Sequence, residues 1–406
     1  MIRLKTHVKI AFTYFILAAG FGIVLRSIHS FEIPINYKFI VHTHSHIALL
    51  GWAYVALTTL IQTLFFQSDV QNKKYLKIFW FTEITLIGML LTFPFQGYAL
   101  FSIIFSTLFL FASYWFFWFF TKYIKQQFKQ TNSYKCIKAA LWFMVLSSIG
   151  PWTLGIIMST LGAESIWYRL AIYFYLHFQY NGWMVLALFG LFLYLLEQYQ
   201  IVLDKKTFKK FFWSINIGIL LSFFLSTLFT HPPIILNILG AIGAILQLTA
   251  FGFLIKLTVR LIEKQKIFFS SLQIGMLKSI AFIFFIKMAL QLLTALPYFA
   301  NLSITYLDFT IGYLHWTFLG AITISLFFLL DYFRLLKIST KGYYIYVFGF
   351  VLTEILIFYK GVAGWQGFSL FENYYDTLAI GSALIPFSLI YMLVWNKKHS
   401  DYVPDC

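Results

Sequence analysis

Charge is scarce in this sequence. Lysine, arginine, aspartate and glutamate together make up 11% of the 406 residues, where a soluble domain carries about a quarter. A chain this poor in charge has too little polar surface to face water, which excludes the soluble globular classes. Acids are scarcer than bases, 14 against 30. Cysteine is nearly missing as well. Cys136 and Cys406 stand far apart, outside any CxxC or CxxCH context, so no structural disulfide, cysteine-built zinc site or covalently attached c-type haem is indicated. Low-complexity linkers are also missing, and with them any sign of a separate soluble domain.

What fills the chain is apolar: 61% of residues are hydrophobic and 22% aromatic. Apolar runs of about twenty residues are long enough to cross a bilayer as helices. The pattern predicts an all-α polytopic membrane protein, one domain over residues 1–406. Hydropathy places twelve transmembrane helices at roughly 8–26, 38–66, 76–95, 98–121, 137–160, 168–196, 211–230, 233–255, 271–297, 307–331, 342–360 and 378–396. The first follows Arg3, Lys5 and Lys9 and is too long for a signal-peptide core, so it reads as a retained anchor.

The formal charge of +16 raises nucleic acid as a partner, but the placement of the bases argues for topology instead. Of the 30 lysines and arginines, 24 fall on every second connector, in clusters such as Lys73–Lys77, Lys122–Lys138, Lys205–Lys210 and Arg334–Lys341. The opposite connectors hold only Arg26, Lys38, Arg169 and Lys360. The positive-inside rule then puts both termini in the cytoplasm, with the lipid bilayer rather than nucleic acid as the partner. Trp167, Tyr168, Tyr374 and Tyr375 at span ends fit an interfacial aromatic belt.

Against this apolar background the histidines stand out. Val41–Trp52 reads VHTHSHIALLGW and carries His42, His44 and His46, three of the nine histidines. An imidazole in apolar surroundings is costly unless it is paired, hydrogen-bonded or ligated. With the sidedness above, these three lie at the outer end of the second span. His177 lies about 15 Å into the sixth span at helical rise, His231 ends the seventh, and His315 sits in the first turns of the tenth. His7, His29 and His399 fall in flanks or loops. His42 and His46 are four apart and share a helix face, while His44 points elsewhere. Gly51 follows His46 by five residues, and Gly320 follows His315 by five. A ligand followed by a gap suits a flat macrocycle pressed between helices. Hydrogen-bonded core histidines, with glycines serving close helix packing, are the competing reading. Neutral imidazole is the usual ligand for haem iron and a good one for copper.

Twelve spans with both termini inside, and histidines on the second, sixth, seventh and tenth near the outer face, resemble subunit I of the haem–copper oxidases. The nitric oxide reductase large subunit is the closer branch. His315–Ala321, HWTFLGA, resembles that branch's tenth-helix stretch, which implies low-spin haem ligation by His315 with His42 or His46. His177–Gly182, HFQYNG, resembles its sixth-helix motif, and His231-Pro-Pro its seventh. Together these imply His177 and His231 as ligands of copper or non-haem iron. The spacing His44-x-His46-x-x-x-x-Gly51 is similar to the NnrS family, haem- and copper-binding proteins linked to nitric oxide metabolism. The resemblance implies a bundle of the oxidase subunit I type in a bacterial inner membrane, serving electron transfer or the handling of nitric oxide or oxygen, beside an electron-donor or respiratory partner subunit. Three departures bear on the chemistry. Tyr313 stands where the family's tenth helix has the first histidine of a His-x-His pair, either as a ferric-haem ligand or as a packing residue. Asn181 stands in place of a glutamate, and His231 in place of a histidine pair. A complete binuclear centre, and with it oxidoreductase activity of this type, is therefore not implied.

Other polar residues fall inside spans: Lys287 with Gln291 one turn on, Glu83, and Glu354. Intramembrane ionisable residues are functional candidates by default. They read either as a proton or ion path or as an internal Lys–Glu pair that fixes packing. Two further functions stay open: a secondary transporter coupled through Lys287, Glu83 and Glu354, and a non-catalytic assembly subunit. No sequence repeat between the two halves supports transport.

Overall fold

The structure, a computed structural model, describes residues 4–28, 30–66, 68–264 and 269–399. Arg3, His29 and Cys406 lie outside the described residues. Among the described residues every regular element is helical. Twelve helices are long and apolar enough to cross a membrane, and each falls on an expected span. We number them span 1 (Leu4–Ser27), span 2 (Tyr37–Phe65), span 3 (Asp69–Gln96), span 4 (Leu100–Tyr123), span 5 (Asn132–Thr160) and span 6 (Ile166–Gln198). Then follow span 7 (Lys205–Thr230), span 8 (Ile234–Arg260), span 9 (Ser271–Leu293), span 10 (Leu307–Tyr332), span 11 (Thr340–Gln366) and span 12 (Tyr374–Lys397).

An apolar helix in lipid must satisfy its own backbone, so its ends are where the sequence has to intervene. Polar caps do this repeatedly. Ser68 and Gln71 form a capping box at span 3, and Ser270 and Gln273 form one at span 9. Asn36, Thr131, Ser165, Asp204 and Ser339 cap spans 2, 5, 6, 7 and 11. Span 7 tightens into a 3-10 turn over Phe223–Thr230 and stops at His231, whose left-handed backbone (φ 51°) precedes Pro232 and Pro233.

The chain forms two compact units. The first comprises Met1–Tyr123 with Leu326–Cys406, the second Ile124–Ser325. In the first, Phe15 stacks on Trp52 at 5.1 Å and Phe12 meets the same indole edge-on at 5.7 Å. In the second, the Glu197 carboxylate accepts the backbone N–H groups of Asn132 (2.7 Å) and Ser133 (3.0 Å), tying the end of span 6 to the start of span 5. Exposure is not shared evenly among the helices. In spans 2, 6 and 10, 94%, 83% and 72% of the apolar window is buried, and no other span exceeds 50%. Three of the four helices that carry candidate ligands, all but span 7, are thus the ones withdrawn from the surface.

Candidate functional site

Spans 2, 6 and 10 share a second property. Each loses α-helical regularity for a π-helical stretch: Ile47–Tyr54, Phe178–Val185 and Trp316–Ile322. In every case the residue just before the stretch is a histidine, and the fifth residue after that histidine is a glycine. The sets are His46 with Gly51, His177 with Gly182, and His315 with Gly320. The middle pair escaped the sequence reading, although it is visible in the string, and Trp52 and Trp183 follow the first two glycines. The motif recurs every four spans, so a comparison of one half with the other passes over it. π-Helical turns give up regular hydrogen bonding and cluster at functional sites.

In the first unit, the Nδ1–H of His46 donates to the His42 carbonyl at 2.8 Å. That bond fixes the tautomer and leaves Nε2 as the nitrogen with a lone pair, the arrangement a metal-ligating imidazole adopts. The Tyr98 hydroxyl lies 3.3 Å from this Nε2. Phe93 lies 4.5 Å from the His46 ring, and Tyr98 meets the His42 ring edge-on at 4.6 Å. His44 turns the other way, its Nδ1 bonded at 2.8 Å to the Ala18 carbonyl of span 1. Here it docks one helix on another. The gap expected at Gly51 is filled. A Cβ there would stand 2.8 Å from the Tyr14 ring, and the Tyr14 hydroxyl donates to Glu83 Oε2 at 2.8 Å. Glu354 is 2% exposed, and among the described residues neither of its carboxyl oxygens has a hydrogen-bond partner.

The second unit repeats the packing and changes the chemistry. A Cβ on Gly182 would stand 2.6 Å from Phe143 of span 5, so again the preceding span presses an aromatic ring onto the glycine. On span 10, Gly320 is buried, and the neighbouring Trp316 donates its indole N–H to the Ile283 carbonyl of span 9 at 3.0 Å. His177 donates through Nε2 to the Ile219 carbonyl at 2.9 Å, which leaves Nδ1 facing the Ser226 hydroxyl at 3.3 Å. One turn on, Asn181 Oδ1 accepts from the Lys287 ammonium or amine, and its Nδ2 lies 3.3 Å from the His177 carbonyl and 3.5 Å from His177 Nδ1. Lys287 Nζ also donates to Gln291 Oε1 at 2.7 Å, and the Tyr313 hydroxyl donates to the same oxygen at 3.3 Å. The residue weighed as a haem ligand, Tyr313, thus belongs to a polar cluster centred on Lys287. Among the described residues the hydrogen-bond partners of Lys287 are the amides of Asn181 and Gln291, and neither is a glutamate of the kind considered from the sequence.

The ligand sets implied by the resemblance fare differently. His231 is exposed at the end of span 7, while His177 is buried and bonded to Ile219 and Ser226. Among the described residues no group of three or more His, Cys, Asp or Glu is set to hold a metal ion. The donors present do not fit a copper or non-haem iron centre. One haem-iron ligand does fit in the first unit, since His46 has its tautomer fixed and an aromatic surround. His42 and His46 belong to the first unit and His315 to the second. No protein-family model matches the chain. No curated protein matches it either.

Proposed function

We propose that the chain is an integral membrane haem protein. His46 Nε2 would hold the haem iron in the first unit, and His315 is the ligand candidate of span 10. In this reading it sits in a bacterial inner membrane with both termini cytoplasmic. It serves electron transfer or the handling of nitric oxide or oxygen, without a complete binuclear centre. The observation that carries the reading is the His46–His42 carbonyl bond, which presents an unprotonated Nε2 beside Phe93 and Tyr98. When bound, haem supplies a one-electron couple. The protein's own part is to hold the imidazole orientation, to keep the surround apolar, and to release the Tyr98 hydroxyl from Nε2. Tyr98 is 39% exposed. The test is the reduced-minus-oxidised optical spectrum of protein purified from haem-replete cells. His46→Ala abolishes the haem bands, while His44→Ala, which removes the bond to Ala18, keeps them. Bands that survive His46→Ala reject the assignment.

A second reading, ion-coupled transport, is favoured by Glu83 and Glu354. Both are buried carboxyls, and among the described residues neither oxygen of Glu354 has a hydrogen-bond partner. Proton-driven solute uptake by haem-free proteoliposomes, lost in Glu354→Gln, distinguishes it from the first.

A further inference from the structure

The cluster around Lys287 lies outside the haem reading and has a chemistry of its own. Lys287 is 0% exposed, in the interior of span 9. Its hydrogen-bond partners are two amide oxygens, Asn181 Oδ1 from span 6 and Gln291 Oε1 one turn along its own helix. Neither is a carboxylate. An ammonium has three N–H donors and no lone pair, whereas a neutral amine has two donors and one lone pair. Two acceptors therefore satisfy the neutral amine's donors completely. They also remain bonded when the lone pair takes up a proton. The same two oxygens serve either charge state as acceptors, the ammonium carrying one further N–H beyond them. Such a group changes charge without moving a side chain.

The acceptors are held from behind. Asn181 Nδ2 is turned toward the His177 backbone carbonyl, which fixes the face that Oδ1 presents to Lys287. Gln291 Oε1 receives the Tyr313 hydroxyl as well, which pins that amide from span 10. The titratable groups facing the site are thus His177 through Asn181 and Tyr313 through Gln291, with His315 two residues beyond Tyr313. Span 8, which also packs on span 9, carries titratable residues only at its far end, Lys256 and Arg260. Asn181, where the family resemblance expects a glutamate, is what keeps the site free of a permanent counter-charge. A carboxylate there would hold the ammonium in place.

We propose that Lys287 is a proton-exchange centre of the second unit, its amine taking up and releasing one proton against the fixed oxygens of Asn181 and Gln291. Uptake takes a proton from water and converts the Nζ lone pair into a third N–H bond, release returns that proton to water, and no redox partner is involved. The centre stands whether or not the chain binds haem.

The test is magic-angle-spinning NMR of the full-length protein in lipid bilayers, with lysine labelled at Nζ with nitrogen-15. From mildly alkaline to mildly acidic pH, one lysine signal moves reversibly from the amine to the ammonium position while the others stay at ammonium. That signal is missing in Lys287→Met. In Asn181→Asp it stays at the ammonium position at every pH, which also assigns it if Lys287→Met does not fold. A Lys287 signal that keeps one position across the range in the wild-type protein overturns the proposal. So does a moving signal that Asn181→Asp leaves unchanged. A colourless preparation bears on the haem reading alone and leaves this measurement intact.

Discussion

At the scale of single residues, what a buried polar group does is decided by which atom faces it. His44 and His46 are two positions apart, yet each gives Nδ1 to a different backbone carbonyl, Ala18 of the next span and His42 of its own helix. Composition could mark both as unusual but could not say which one docks helices and which one turns Nε2 toward Tyr98. Glu83 makes the same point in energetic terms. It is 2% exposed, Oε2 accepts from Tyr14, and among the described residues Oε1 has no partner. Tyr14→Phe removes that donor and leaves the carboxyl buried without it. A loss of about 1–3 kcal/mol follows, read as a lower midpoint of thermal unfolding in detergent. Glu83→Leu in the Tyr14→Phe background recovers part of it, because the orphaned polar group is then gone. Lys287 was legible as a buried lysine. Its partners were not, since Asn181 lies 106 residues away and an amide announces no affinity for an amine.

Elements were the most legible level. Twelve apolar runs became twelve helices, because in lipid a long apolar segment has few ways other than a helix to satisfy its backbone. The π-helical stretches were hidden. Their i→i+5 bonding leaves no periodic trace in side-chain polarity, and only the recurrence of histidine and glycine five residues apart marks them. The glycines left two readings open, a gap for a macrocycle or close packing, and at Gly51 and Gly182 the space is filled. What fills it is an aromatic ring of the preceding span, Tyr14 against Gly51 and Phe143 against Gly182. Gly182→Ala therefore drives Phe143 out of its place and costs about 1–3 kcal/mol by overpacking. The measurement is urea or thermal unfolding of the purified variant. Ala introduced at Gly155, where nothing lies within 4 Å of the new Cβ, is the control and does not lower the midpoint.

On the scale of the whole molecule, the distribution of 24 of 30 basic residues on alternate connectors predicts that both termini face the cytoplasm. Reporter fusions at either end check it, with cytoplasmic reporters active and exported reporters silent at both. The twelve-helix architecture was readable because hydropathy is local. The division into two units and the withdrawal of spans 2, 6 and 10 from the surface were not, because they arise from packing between distant segments. What unites those three spans is a histidine poised before a distorted turn, and the proposed role of His46 as a haem ligand is the central claim drawn from it. The most direct test is the optical spectrum of the purified wild-type protein, oxidised and then reduced, beside that of His46→Ala. The account predicts haem bands in the wild type that are lost in the variant. A colourless wild-type protein from haem-replete cells, with no iron by elemental analysis, would contradict it.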